Sequence, residues 1–370
     1  MQLQRVIFCR FFGGCPAKQK AGQIRITVDL AMKKRSRDRE TEGHGKSRLK
    51  KVVAQIVLAQ GNIFIKDLLR SNRIPVGNTK ADFAEHLDAA IDSGTLSQAA
   101  IESWLDEIEG WGNQHVYLFE PLSISGRRIR PAIEASRYSK LLDRKVSYEF
   151  PEKLTLSTVN FSGDHLSIAW HRSRGAWERA KSKDFRREEG GDSYEYRAYR
   201  ERFDRAVVRF EWRLADPYCA AMIQLPNEGE EHAQALGRVW LDLTELGLVS
   251  GPPGRVRLSP ALKRLSRNAQ ATVQSTRLVA QGGHVELVST LSEGGIDSVE
   301  AVREVRRGVD DASFLAADGM FNFTAEKYQQ LSRSIKMEGY GGESRLRIWV
   351  QCKREDVYTV LSIIWNNNQT

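Results

Sequence analysis

Leu154-Thr155-Leu156-Ser157-Thr158, then Ser162-Gly163-Asp164, then Leu166-Ser167-Ile168-Ala169-Trp170 set the fold class. Leu154, Leu156 and Thr158 alternate with their neighbours at a period of two, which turns one face of a strand inward. The Ser-Gly-Asp triplet is turn chemistry, and Leu166 to Trp170 reads as the returning strand. Strand-like runs recur at 194–201, 206–214 and 218–225. Short strands at short spacing predict an antiparallel meander. The interval 171–193 reads as a charged, glycine-punctuated loop.

Towards the N-terminus the period becomes helical. Val52, Val53, Ile56, Val57 and Leu58 form an apolar stripe, and Ile65, Leu68 and Leu69 mark the inner side of a short helix over 63–70. Thr79 suits a helix N-cap, because its hydroxyl accepts from free backbone N–H groups. Phe83, Leu87 and Ile91 then repeat at i, i+4, i+8. Ser97 can cap a third helix carrying Ile101, Trp104, Leu105 and Ile108, and Val116 to Phe119 reads as a strand. Towards the C-terminus, Ala235, Leu236, Val239, Trp240, Leu243 and Leu246 are helical in spacing. The last hundred residues mix strands (285–291, 345–352) with helices (298–307, 324–336, 353–364). The chain is therefore expected to be α+β: an arm over 1–50, a helical module over 51–120, an antiparallel β-domain over 121–230 and a mixed α+β part over 231–370.

The chain has 370 residues, a formal charge of +9 and 41% hydrophobic residues. That apolar share can build real cores, and the positive charge selects anionic partners, nucleic acid before a membrane surface. Residues 32–51 concentrate the charge, with nine Lys/Arg against three acids. Such a block stays solvated and often serves as a nucleic-acid arm. The first 31 residues show no clean period, and Met32 opens an ordinary polar beginning, which makes Met32 a candidate start. Residues 1–31 and most of the arm to about 47 are expected to lack fixed structure.

Cys9, Cys15, Cys219 and Cys352 include no CxxC pair. That spacing argues against a thiolate zinc site, so few cysteines in so long a chain argue against a disulfide framework, and a reducing, cytoplasmic setting is predicted. No run approaches the ~20 apolar residues of a membrane span. The seven histidines show no HExxH or HxxxH spacing, and no GxSxG, Walker A or GxGxxG occurs. No metal, cofactor or catalytic residue is assigned.

Three segments carry resemblances. Leu68-Leu69, Ile74-Pro75, Gly77, Lys80, Phe83-Ala84 and Leu87 resemble the SAP module, a short helical DNA-binding hairpin, over residues 63–91. That resemblance implies duplex DNA as partner. The residues give a parallel physical reading. Thr79 starts a helix whose N-terminal dipole favours a phosphate, Gly77 lets backbone approach closely, and Lys66, Arg70, Arg73 and Lys80 could neutralise further phosphates. Leu243 to Val249 with Arg255-Val256-Arg257-Leu258-Ser259 resemble the end of a winged helix. A helix there would run into two short strands joined by Gly251-Pro252-Pro253-Gly254, with Arg255 and Arg257 on one side. Val350-Gln351-Cys352-Lys353 resembles the Gln-x-Lys strand of Mrr-like nucleases. That family would need a metal-binding acid nearby, for which Asp297, Asp310, Asp311 and Asp318 are the candidates.

A fourth pattern comes from the residues alone. Trp170, Trp177, Tyr194, Tyr196 and Tyr199 interleave with Arg172, Arg174, Arg179, Arg186, Arg187, Arg197 and Arg200. Aromatic rings among arginines suit stacking on single-stranded bases. The expected function is nucleic-acid binding, most simply of duplex DNA, with low sequence preference and no catalysis. A metal-dependent nuclease and a scaffold for an acidic protein partner are the alternatives.

Overall fold

The computed structural model describes residues 45–144, 146–224, 230–289, 294–307, 314 and 316–369. The chain divides into two units, 1–51 and 52–370. In the first, residues 45–51 are helical, and the arm expected over 1–47 falls mainly on 1–44, outside the described residues.

The second unit opens on a π-helical turn, Val53–Val57, in which the Leu58 amide donates to the Val53 carbonyl at 3.0 Å. Helices α1 (Asn62–Ser71), α2 (Lys80–Ser93) and α3 (Gln98–Ile108) follow. Then come β1 (Gly112–Phe119), α4 (Gly126–Ala135), β2 (Thr155–Phe161), β3 (His165–Arg179), β4 (Phe185–Glu189), β5 (Asp192–Tyr196), β6 (Tyr199–Arg213) and β7 (Cys219–Ile223). The remainder is α5 (Glu230–Glu245), α6 (Ser259–Leu265), β8 (Thr272–Ala280), β9 (Gly283–Val288), α7 (Glu300–Arg307), β10 (Ala316–Phe323), β11 (Ile335–Tyr340), β12 (Arg345–Gln351) and α8 (Arg354–Gln369).

The architecture is α+β, with helices N-terminal to a large antiparallel sheet. Ten strands run in the order β2-β3-β6-β7-β1-β12-β11-β10-β8-β9, and β4 with β5 forms a separate two-stranded ribbon. The sheet takes strands from each of the sequence blocks 51–120, 121–230 and 231–370, so the boundaries at 120 and 230 fall within one sheet. β1 is its centre, paired to β7 through Val116↔Met222 and to β12 through Val116↔Leu346.

Two cores lie on opposite faces, and β1 feeds both by simple alternation. Val116 and Leu118 join the core beneath α6 and α8, with Leu262, Leu265, Val357, Leu361, Met337 and Ile348. Tyr117 and Phe119 join the other, beneath α4 and α5, with Ile129, Ile133, Val239, Leu243, Trp170 and Phe210. A side chain of this size, once fully buried, contributes ~1.5–3 kcal/mol, so both faces are worth covering.

Three expectations are corrected. Residues 324–336 are turns leading into β11, because tertiary bonds outcompete helix propensity there. Asp356 on α8 accepts from both the backbone N–H and the hydroxyl of Ser332 (2.7 and 2.6 Å), and the Tyr328 hydroxyl donates to the Gln270 carbonyl. The interval 171–193 is not a loop: β3 runs on to Arg179, and β4 and β5 are joined by Gly190-Gly191. Both glycines have positive φ (65° and 94°), which a two-residue type I′ turn requires. Finally, residues 251–258 form no paired wing, and Arg255 makes only an isolated bridge to Phe119.

Candidate nucleic-acid interface

The start of α2 is a complete capping box. The Asp82 amide donates to the Thr79 hydroxyl at 3.1 Å, and the Asp82 carboxylate accepts from the amides of Asn78 (2.8 Å) and Thr79 (3.1 Å). These bonds hold the Asp82 carboxyl below the usual range. The protein's own carboxylate thus caps the turn into α2, next to the helix start where a phosphate is expected. Gly77 serves the same cap, since a Cβ there would lie 2.2 Å from the Asp82 Cβ. The Lys80 ammonium donates to the carbonyls of Leu58 (2.6 Å) and Gln60 (2.5 Å), so it caps the end of the π-turn. Arg70 is exposed and pairs with Asp67 at 3.3 Å, Arg73 is exposed at φ 58°, and Lys66 is half-buried. Of the SAP-like set, Arg73 and the Asp67-paired Arg70 remain exposed, and Lys66 is partly so.

Arg255 and Arg257 are exposed while Val256 and Leu258 are buried, as their alternation requires. The Arg255 guanidinium lies 4.7 Å from the Tyr117 ring centroid and donates to the Glu343 carbonyl. Gln351 accepts from the Gly61 amide at 2.9 Å and donates to Gln60 at 2.6 Å, so its amide fastens β12 to the turn before α1. The Lys353 backbone N–H donates to Asp356. Asp297 lies in a short 3-10 turn, Asp318 lies on β10 opposite Tyr340 of β11, and Asp310 and Asp311 lie outside the described residues. Among the described residues no group of three His, Cys, Asp or Glu could hold a metal ion.

The aromatic–arginine interval is where the structure adds most. β2 pairs with β3 only as far as His171, and β7 pairs with β6 only from Val208. Ser173 still donates to the Pro151 carbonyl and Arg205 is buried against Glu109, so residues 174–179 and 199–204 are the part that pairs only with itself and leaves the sheet as a two-stranded arm. Six residues at ~3.3 Å each make it about 20 Å long. The β4–β5 ribbon lies at its end, and every residue of both strands is exposed.

Five of the six exposed large aromatics among the described residues lie on this arm or on the ribbon at its end: Trp177 (68%) and Tyr199 on the arm, Phe185, Tyr194 and Tyr196 on the ribbon, against Trp349 elsewhere. Phe185 and Tyr196 are stacked, with centroids 4.7 Å apart and planes 10° off parallel. Trp170, grouped with these rings in sequence, is instead buried and donates to Asp242. Residues 172–200 hold nine Lys/Arg and six acids, a net of +3. Arg179, Arg187 and Arg197 are paired with Asp184, Glu189 and Glu195. Lys181, Lys183 and Arg186 have no ion-pair partner among the described residues.

In sequence the rings alone do not mark a surface, because aromatics in strands are more often core. The overlooked signal was Glu189-Gly190-Gly191-Asp192, a hairpin turn that places the rings on a ribbon too narrow to bury them.

Comparison with known proteins finds no matching family model and no matching curated sequence. Among the described residues, no helix is long and apolar enough to cross a membrane.

Proposed function

We propose that the protein binds nucleic acid with little sequence preference, and that the arm over 174–204 is its principal contact. The observation that carries this is the concentration of exposed rings on the arm. Exposed aromatics forfeit the burial that normally stabilises them, and bases are the partners that stack on flat rings whatever their sequence. The cations Lys181, Lys183 and Arg186 lie close in sequence to Phe185, so backbone phosphates and base faces can be met together. An unsupported two-stranded ribbon is marginal in water, so binding a strand would also stabilise it. Lys66, Arg70 and Arg73 would add positioning contacts on duplex DNA.

The test is fluorescence anisotropy with single- and double-stranded 20-mers across a salt series. Each base–aromatic stack contributes ~1–3 kcal/mol, so Trp177→Ala with Tyr196→Ala should weaken single-strand binding at least ~30-fold. With about four phosphates engaged, the slope of log affinity against log salt should be roughly −3 for a single strand. Both side chains are exposed, so the fold should survive the substitutions. If the double variant binds as tightly as the wild type, the arm is not the contact. If Arg70→Glu with Arg73→Glu then abolishes binding, the helical module is.

A further inference from the structure

At the root of the arm, where β6 rejoins the sheet, lies a polar cavity of about 240 Å³. We propose that this cavity receives a single uncharged nucleobase. The chemistry of the wall, the backbone that builds it and its position all favour that occupant.

The wall is rich in side-chain amides: Gln60, Asn113, Gln224 and Gln351 all line it. Three of them are oriented by bonds already made. Gln351 is fixed between the Gly61 amide and Gln60, Gln60 donates to the Ile56 carbonyl at 3.1 Å, and Gln224 donates to the Gly112 carbonyl at 2.9 Å. A primary amide has two donors and an acceptor with two lone pairs, so each retains bonding capacity after these contacts. Oriented amides that offer a donor and an acceptor side by side are the side chains that match the edge of a base.

The charged groups at the wall argue against an anion. Arg205 meets Glu109 through two bonds of 2.5 Å, and its remaining amino group is directed at the carbonyls of Ser147 and Glu149. The pair is buried and mutually neutralised, which leaves no spare cation for a phosphate. No aromatic ring lines the cavity, as a sugar platform would require, and the apolar lining comes from aliphatic residues such as Ile56 and Val207.

Two backbone irregularities converge here. The π-turn Val53–Val57 lies beside Gln60, and such turns recur at functional sites. On the other side, the β1–β12 pairing is broken by a bulge between Gly112 and Gln114, which leaves Asn113 at φ 47°. Left-handed backbone is uncommon outside glycine, Asn being among the side chains that adopt it most readily, and it persists where the surroundings enforce it. Bulges likewise re-aim a side chain beside a site. Both devices border this one cavity.

Position supplies the source of the base. Arg205, Ala206 and Val207 line the cavity and belong to β6 at the point where the arm leaves the sheet. A single strand stacked along the arm would pass the mouth, and one base turned out of the stack could enter. This source rests on the nucleic-acid reading of the arm, whereas the affinity of the cavity for a base does not.

Two measurements on the full chain separate these. Free adenosine, cytidine, guanosine and uridine are titrated by equilibrium dialysis with inorganic phosphate as competitor. Single-stranded 20-mers carrying one 2-aminopurine are followed by fluorescence. At least one nucleoside should bind saturably, phosphate should not displace it, and Asn113→Gly, which removes the amide and relieves the backbone, should weaken it at least tenfold. Gln224→Leu should do the same, and both variants should retain the wild-type circular dichroism spectrum. Trp177→Ala with Tyr196→Ala should abolish the 2-aminopurine signal on the oligonucleotide and leave nucleoside binding unchanged. Nucleoside binding with no response from the oligonucleotide would leave the cavity as a base site and overturn the strand as its source. Oligonucleotide binding with no nucleoside binding at millimolar concentration, and with Asn113→Gly at wild-type affinity, would overturn the cavity proposal while the arm survives.

Discussion

Removing the Glu109 carboxylate should be among the most damaging single changes in the molecule. Its side chain is 7% exposed and that of Arg205 3%, and they meet in a bidentate pair at 2.5 Å. Glu109→Ala would leave a buried guanidinium with carbonyl partners but no counter-charge. The cost of breaking such a pair from one side is ~3–5 kcal/mol, a large part of the ~5–15 kcal/mol that holds a typical domain folded. The charge would also be left near His171, whose neutral form burial and then the same guanidinium already favour. Urea unfolding followed by tryptophan fluorescence gives the loss directly, provided the slope m is unchanged. Arg205→Met should cost less than Glu109→Ala, because the carboxylate it leaves belongs to a residue whose backbone carbonyl already accepts from the Arg209 guanidinium at 2.7 Å, which keeps a positive charge close by. The Arg205 and Glu109 losses should fall well short of additive in the double variant, with a coupling of at least ~1.5 kcal/mol. A Glu109→Ala loss below about 1 kcal/mol, or strict additivity, would refute the assignment of this pair as a buried, mutually dependent unit.

Stability should fall in mild acid. His115 is buried beside His232 and accepts from Arg345 at 2.7 Å; burial first, then the His232, Arg345 and Arg347 charges, hold its value down to about 3. His171 is likewise held low by burial and by Arg205, Arg209 and Arg144. The unfolded chain binds these protons more readily, so stability is full above pH ~6.5 and declines below it, by up to about 1.4 kcal/mol per pH unit per histidine. Melting temperature measured from pH 8 to 5 should drop, and less steeply in His115→Gln; a flat profile would contradict the burial argument. The thiols of Cys219 and Cys352 are pushed well up by burial, so neither should react with iodoacetamide at pH 7.5 in the folded protein, and both should react in urea. Peptide mapping that found Cys352 fully alkylated within minutes under native conditions would count against the packing of α8.

Much of the fold was legible because much of it follows a single period. The helical face Phe83-Leu87-Ile91, the cap at Thr79 and the strands around Leu156 and Ile168 all sit where their spacing puts them. What escaped depends on distant partners. Helix α4 contains Gly126 and Pro131, the two residue types of lowest helix propensity, yet Ile129 and Ile133 are buried against the sheet. β1 looked like the tail of a helical module because its partners are β7 and β12, far along the chain. The site was legible in composition and not in placement. The interleaved aromatics and arginines were visible, but only the ribbon geometry distinguishes buried Trp170 from Trp177 seven residues on. Lys80 shows the converse: a lysine at a helix start reads as a phosphate ligand until the carbonyls of Leu58 and Gln60 are found beneath it.

The central position of β1 has a consequence for synthesis on the ribosome. Val116 pairs with Leu346, 230 positions later. At ~5–20 residues per second, one edge of Val116-Tyr117-Leu118-Phe119 waits roughly 10–50 s for its partner strand to emerge. Throughout that interval the nascent chain carries an apolar strand with open hydrogen-bonding groups, a template for pairing with a neighbouring chain on the same polysome. A chain released early, anywhere before Arg345, would keep that edge for good. Truncations from the C-terminus should therefore yield aggregates rather than a smaller soluble domain.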